Sequence, residues 1–237
     1  FLDSLSYRQG NPFLTPQFTH NIELSHAFKG KIITTLNYNT TRDVIAQLLK
    51  QNDNDRIVFL TVDNVAQFRN VGLSVTVPVT VTKWWNLNFF TNIFNNHYKG
   101  VYNADPIDIS YTSFMANTTN TFTVKKGFSL ELSGFYRAKG LDNLSITQPV
   151  YQMSIGAQKQ VLNGKGTVRL NIRDPFAWQR YKVLTQYSNI DVQVSGINDA
   201  RQVTATFTLR FGKSQQQPQR RRANASQEEQ NRVGSGG

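Results

Sequence analysis

The sequence predicts an all-β chain of antiparallel strands, and three observations carry that prediction. Apolar residues recur at every second position over long stretches. Turn signals alternate between tight and long. Charged residues make up only 17% of the chain while Phe, Tyr and Trp reach 12%.

Period two is the clearest of these. Successive side chains of a strand point to opposite faces, so strict alternation gives one apolar and one polar face. From Val71 to Val81 every odd position is apolar: Val71, Leu73, Val75, Val77, Val79 and Val81. Gly72, Ser74, Thr76, Pro78 and Thr80 fill the even positions. The pattern returns where Phe128, Leu130 and Leu132 oppose Ser129, Glu131 and Ser133, with Arg137 continuing the polar set. It returns again where Val168, Leu170 and Ile172 oppose Arg169, Asn171 and Arg173. In the last such run Val203, Ala205, Phe207, Leu209 and Phe211 oppose Thr204, Thr206, Thr208 and Arg210.

Tight turn signals fall at Phe28 to Lys31, Thr82–Lys83, Lys125 to Gly127 and Asn163 to Gly166. Glycine there suits a hairpin position with positive φ. Longer polar connections fall between them, near Asn52 to Asp55, Ala104 to Asp108, Leu141 to Pro149 and Ser195 to Ala200. Short turns at one end and longer loops at the other is the asymmetry of membrane barrels. About nine strands result, roughly 17–27, 31–49, 55–81, 84–103, 108–124, 127–139, 149–161, 166–187 and 191–211. Between Arg42 and Lys50 the spacing of Ile45, Leu48 and Leu49 also fits a helical turn.

The chain has no cysteine, which excludes disulfides, thiolate metal sites and thiol catalysis. No continuous apolar run reaches the ~18–20 residues of a membrane-spanning helix. The mean hydropathy of −0.43 does not exclude a membrane wall made of strands, because half of each such strand is polar. Low charge with many Phe and Tyr suits a lipid-facing wall with aromatic girdles, and Trp84–Trp85 beside a tight turn fits such a girdle. The net charge is +11, of which +3 lies in the segment from Gly212 onward. The rest is spread thinly, so no nucleic-acid footprint is expected. Residues 212–237 carry no aromatic residue and are expected to form a disordered polar tail, its Arg220-Arg221-Arg222 run solvated.

Alternation alone does not give its sense. In a soluble barrel the apolar face points inward; in a membrane wall it points outward. An odd strand count argues for a piece of something larger, since single-chain bacterial barrels have even counts and no open edge in lipid. The opening segment, FLDSLSYRQGNPFLTP, likewise reads as a loop entered midway.

The segment YRQGNPFLTPQFTHNIELS, with NIRDPFAWQRY and ARQVTATFTLRFGK near the end, resembles the TonB-dependent-receptor-like outer-membrane proteins of Bacteroidota. That resemblance implies an antiparallel transmembrane β-barrel of about 22 strands. Residues 1–211 would be its C-terminal portion, and 212–237 a periplasmic tail. It also implies ligand uptake, with TonB contacting regions N-terminal to this chain. Other expected partners are outer-membrane lipid, lipopolysaccharide and the barrel assembly machinery. In barrels of the resembled kind the last strand is the assembly signal, here Phe207, Leu209 and Phe211. A structural or secretion-associated barrel without an uptake role is one alternative, and a soluble all-β binding protein is the other.

No catalytic, cofactor or metal site is expected. His20 and His26 share a strand face but stand about 20 Å apart, and no nucleophile elbow or phosphate loop occurs. The candidate functional residues are lumen-lining: Glu131, Arg137, Arg169, Arg173 and Arg210. Four guanidinium groups on a polar face would line a path for an anionic ligand, or balance carboxylates inside the barrel.

Overall fold

The computed structural model describes residues 6–52, 57–102, 105–197 and 199–211. The expected tail at 212–237 lies outside them. Among the described residues nine strands lie side by side in one antiparallel wall. Four are long: β3 (Ile32–Asn52), β4 (Ile57–Thr82), β5 (Trp85–Tyr102) and β6 (Asp105–Val124). β2 (Phe18–Phe28) begins the wall, and β7 (Phe128–Arg137), β10 (Val150–Val161), β11 (Gly166–Arg173) and β14 (Gln202–Leu209) complete it. The order runs β14-β11-β10-β7-β6-β5-β4-β3-β2. A three-residue strand, β1 (Ser6–Arg8), adds to β4 in parallel. A second sheet holds β8 (Gly140–Asp142), β9 (Ser145–Thr147), β12 (Arg180–Tyr187) and β13 (Ile190–Ile197), in the order β13-β12-β9-β8.

Consecutive wall strands are joined at one end by tight turns, after β2, β4, β6 and β10. Gly30 and Gly127 take positive φ there, which a side chain would resist. At the opposite end β5 and β6 are joined just as closely, Tyr102 pairing with Asp105 where the sequence predicts a longer connection, and the second sheet is made from two longer connections. Strands of 18 to 26 residues exceed the ~9–11 that span a bilayer, so their upper parts stand beyond it at the loop end.

Three further expectations change. Residues 42–50 continue β3 as strand rather than helix. A bulge between Thr41 and Ile45, with Asp43 at φ 54°, shifts the alternation there, and that phase slip imitates a helical spacing. From Val44 within it, Val44, Ala46 and Leu48 follow period two and are buried. The strand expected at 166–187 is broken after Arg173 by a loop at 174–179. The one expected at 191–211 is broken between Ile197 and Gln202, so β11 pairs with β14 while β12 and β13 leave the wall.

The two faces of the wall differ. Leu24, Leu36, Leu73, Ile93, Leu130, Ile155, Leu170 and Phe207 share one face by register and are all exposed. The buried apolar residues instead collect at the loop end, on the other face, beneath the second sheet. Ala46, Leu48, Tyr98, Tyr102 and Ile107 of the wall meet Leu141, Leu144, Tyr187 and Ile190 there. A water-soluble barrel would enclose its apolar face; this wall leaves it open to its surroundings.

Candidate functional site: a polar inner wall between aromatic girdles

Register places Glu131, Arg137, Arg169 and Arg173 on one face, opposite the open apolar face. Arg210 lies just past β14, its N–H donating to the Lys165 carbonyl. Arg169 and Arg210 line one open polar groove with Gln158, Asn171 and Thr206. Arg169 donates to Glu131 at 3.0 Å. Both partners are partly exposed, so the pair is worth only about 0–1 kcal/mol and leaves the groove its positive character. Arg137 and Arg173 stand nearer the loop end, and the Nε of each is buried without a hydrogen-bond partner among the described residues. The five residues therefore share a face but do not form one cluster.

An amide ladder crosses the same face. Asn37 donates to Asn70 at 2.6 Å, Asn70 to Asn96 at 2.7 Å, and Asn96 to the Leu141 carbonyl at 2.8 Å. It ties β3, β4 and β5 to the second sheet. A second tie is Tyr187, whose hydroxyl accepts from the Leu49 N–H at 2.7 Å and donates to the Leu49 carbonyl. These backbone groups lie on the β3 edge beyond the last β2 partner, Arg42. Burial pushes the Tyr187 hydroxyl up to about 12, and Tyr102, edge-on at 5.6 Å, adds to the shift. The second sheet is thereby fixed over the mouth of the polar face. Neither tie is legible in the sequence, because each depends on register between distant strands.

The open face is bounded by aromatic residues at both ends. Trp84, Trp85 and Phe122 cluster beside the tight turns, with ring centroids 5.9–6.4 Å apart. The Trp85 indole N–H donates to Asn120. Phe114, Tyr136 and Tyr151 form a chain at the loop end, 5.3 and 5.0 Å apart. Phe114 and Phe122 both lie on β6, eight residues and so about 26 Å apart along the strand. Tilted at ~40°, that separation projects to about 20 Å, close to the ~25 Å apolar band of an outer-membrane wall. Trp84–Trp85 therefore sits where a girdle requires it.

The loop at 174–179 is organised by a carboxylate that the sequence does not single out. Asp174 is 1% exposed. Its two carboxylate oxygens accept from the Trp178 and Gln179 N–H groups at 2.8 and 3.2 Å, and its own N–H donates to the Met153 carbonyl. This holds Phe176 and Trp178 stacked at 4.9 Å and exposed. His20 and His26 lie on the open face with Ile22 and Leu24. No group of three or more metal-binding side chains occurs among the described residues. Phe207 and Leu209 face outward from β14, and Phe211 follows, exposed.

No curated protein and no solved structure matches the chain. A family model does, that of the outer membrane protein beta-barrel family, over residues 1–209. An open apolar face between two girdles and a polar face opposite it are what such a wall requires. The chain belongs to the outer membrane protein beta-barrel family, and its place is the bacterial outer membrane.

Proposed function

We propose that the chain is part of a receptor–transporter barrel of the TonB-dependent kind, taking up a ligand across the outer membrane. The observation that carries this reading is the inner face. Arg137, Arg169, Arg173 and Arg210 lie along its β7 to β14 side, where Glu131 pairs with Arg169, while Glu23 shares the face far off on β2. A purely structural wall has no need of unbalanced cations on its inner face, whereas a path for an anionic solute does. The second sheet, fixed over the mouth, supplies a surface on which a ligand is first met. The reading includes no catalytic step.

It also includes further strands. β2 and β14 each end the wall with one unpaired edge among the described residues. Unpaired backbone groups in lipid cost several kcal/mol each, so flanking strands complete the barrel. In this reading the β14 edge, with Phe207, Leu209 and Phe211, is what the assembly machinery engages, and TonB acts through other parts of the barrel protein. Lipid and lipopolysaccharide contact the outer face.

Uptake is tested without knowing the ligand. Cells with and without the full-length protein, and with and without active TonB, are grown on a complex medium, and the solutes they deplete are profiled. The expected result is a set of anionic solutes consumed only when both are present. Replacing Arg169 and Arg173 together by Ala should slow that consumption about tenfold. Identical depletion profiles in all four strains would contradict an uptake role and leave the barrel a structural or secretion-associated one.

A further inference from the structure

The apolar outer face is not uniform. Across β6, β7 and β10 it dips into a groove of about 360 Å³, within the ~300–1,000 Å³ range of ligand sites. Its floor is low because small residues stand among large ones. Ala116 and Gly134 occupy the centre, and Phe89, Leu132 and Tyr151 rise around them. At Gly134 the space is real: a methyl group added there would meet only the Thr118 Cγ2, at 3.6 Å.

Trp178 forms the lip. It reaches the groove from the 174–179 loop, which Asp174 clamps by its two backbone hydrogen bonds. A clamped loop overhanging a membrane-facing wall is unexpected if that wall meets only fluid lipid. The clamp keeps an indole ordered beside a depression that it partly covers.

We propose that this groove binds one hydrocarbon chain of a membrane lipid. No charged residue lines it, so its occupant is not ionic. The groove opens on the face that carries the apolar band and adjoins the loop-end girdle of Phe114, Tyr136 and Tyr151. The surroundings at that level are lipid chains, and an indole at the girdle sits at the chain–headgroup boundary. A chain in the notch contacts Gly134 and Ala116 below, Leu132 and Tyr151 beside it and Trp178 above, and so is held on three sides rather than one. The proposal rests on the reading of the apolar face as the membrane face.

Trp178 reports the occupant. It is the sole indole once Trp84 and Trp85, and any Trp of the flanking strands, are changed to Phe. The full-length protein is reconstituted in phosphatidylcholine vesicles containing a rising fraction of lipid with brominated chains. Quenching at Trp178 should reach half its maximum at an about threefold lower mole fraction than at Trp84 and Trp85 in the converse variant, Trp178→Phe. Gly134→Leu fills the notch and should abolish that preference. Ala116→Leu closes it from the neighbouring strand and should do the same, so one misfolding variant does not decide the matter. Equal quenching in the wild type and both variants would overturn the bound chain while leaving the membrane face intact. Quenching by aqueous acrylamide with none by brominated lipid would overturn both. Protection from both quenchers would overturn the proposal in favour of a protein occupant.

Discussion

Leu132→Arg should lower the stability of the bilayer-folded protein by about 2–4 kcal/mol, the range for Arg at the midplane of a lipid face. Leu132 lies on β7 midway between Phe128 and Tyr136, on the open apolar face. Ser133→Arg, one residue on, should change stability by only about 0.5 kcal/mol. It points to the polar inner face, where water solvates the guanidinium. Two identical substitutions at adjacent positions thus separate by several kcal/mol, because the strand sends them to different solvents. Equilibrium urea unfolding in lipid vesicles measures both. Equal effects would mean that the two faces see the same medium.

Asp174→Ala should destabilise the 174–179 loop by about 1–3 kcal/mol, the cost of leaving buried partners unsatisfied. The carboxylate is the acceptor for the Trp178 and Gln179 N–H groups. Asp174 also holds φ 48°, where alanine is strained. Asp174→Gly removes the strain and keeps the loss of the two acceptors, so comparing the variants separates the effects. Asp174→Asn retains one oxygen acceptor and should lie between wild type and Ala. Amide hydrogen exchange at residues 178 and 179 should accelerate about 10-fold to 100-fold in Asp174→Ala. Unchanged exchange there would show that the loop is held by packing of Phe176 and Trp178 instead.

The part of this structure legible in the sequence is the part set by local chemistry. Alternation from Val71 to Val81 reports a strand with two unlike faces whatever its neighbours are. Glycine at Gly30 and Gly127 marks tight turns because positive φ is a property of single residues. That Glu131 and Arg137 share a face, and likewise Arg169 and Arg173, follows from parity within each strand. What needed the fold is everything set by register between strands. Asn37, Asn70 and Asn96 are 33 and 26 residues apart in sequence and meet only through pairing. Residues 180–197 have strand character, but nothing local says that they leave the wall for a second sheet. The bulge at Thr41 to Ile45 misled the reading because inserting residues in a strand shifts its phase. Asp174 has no sequence signature because its partners are backbone groups.

The sense of the alternation is the central claim, and side-chain environment along β4 tests it most directly. The chain has no cysteine, so with any cysteine of the flanking strands replaced by Ser, single cysteines can carry spin labels without competing sites. Labels at Val71, Leu73, Val75, Val77 and Val79 are compared with labels at Ser74, Thr76 and Thr80 in the full-length protein in bilayers. Relaxation by oxygen, which partitions into lipid, should dominate at the odd positions. A water-soluble nickel chelate should dominate at the even ones, giving two curves of period two in opposite phase. Access of the nickel chelate to Val71, Leu73 and Val75, with oxygen favoured at Ser74 and Thr76, would invert the wall and contradict the account.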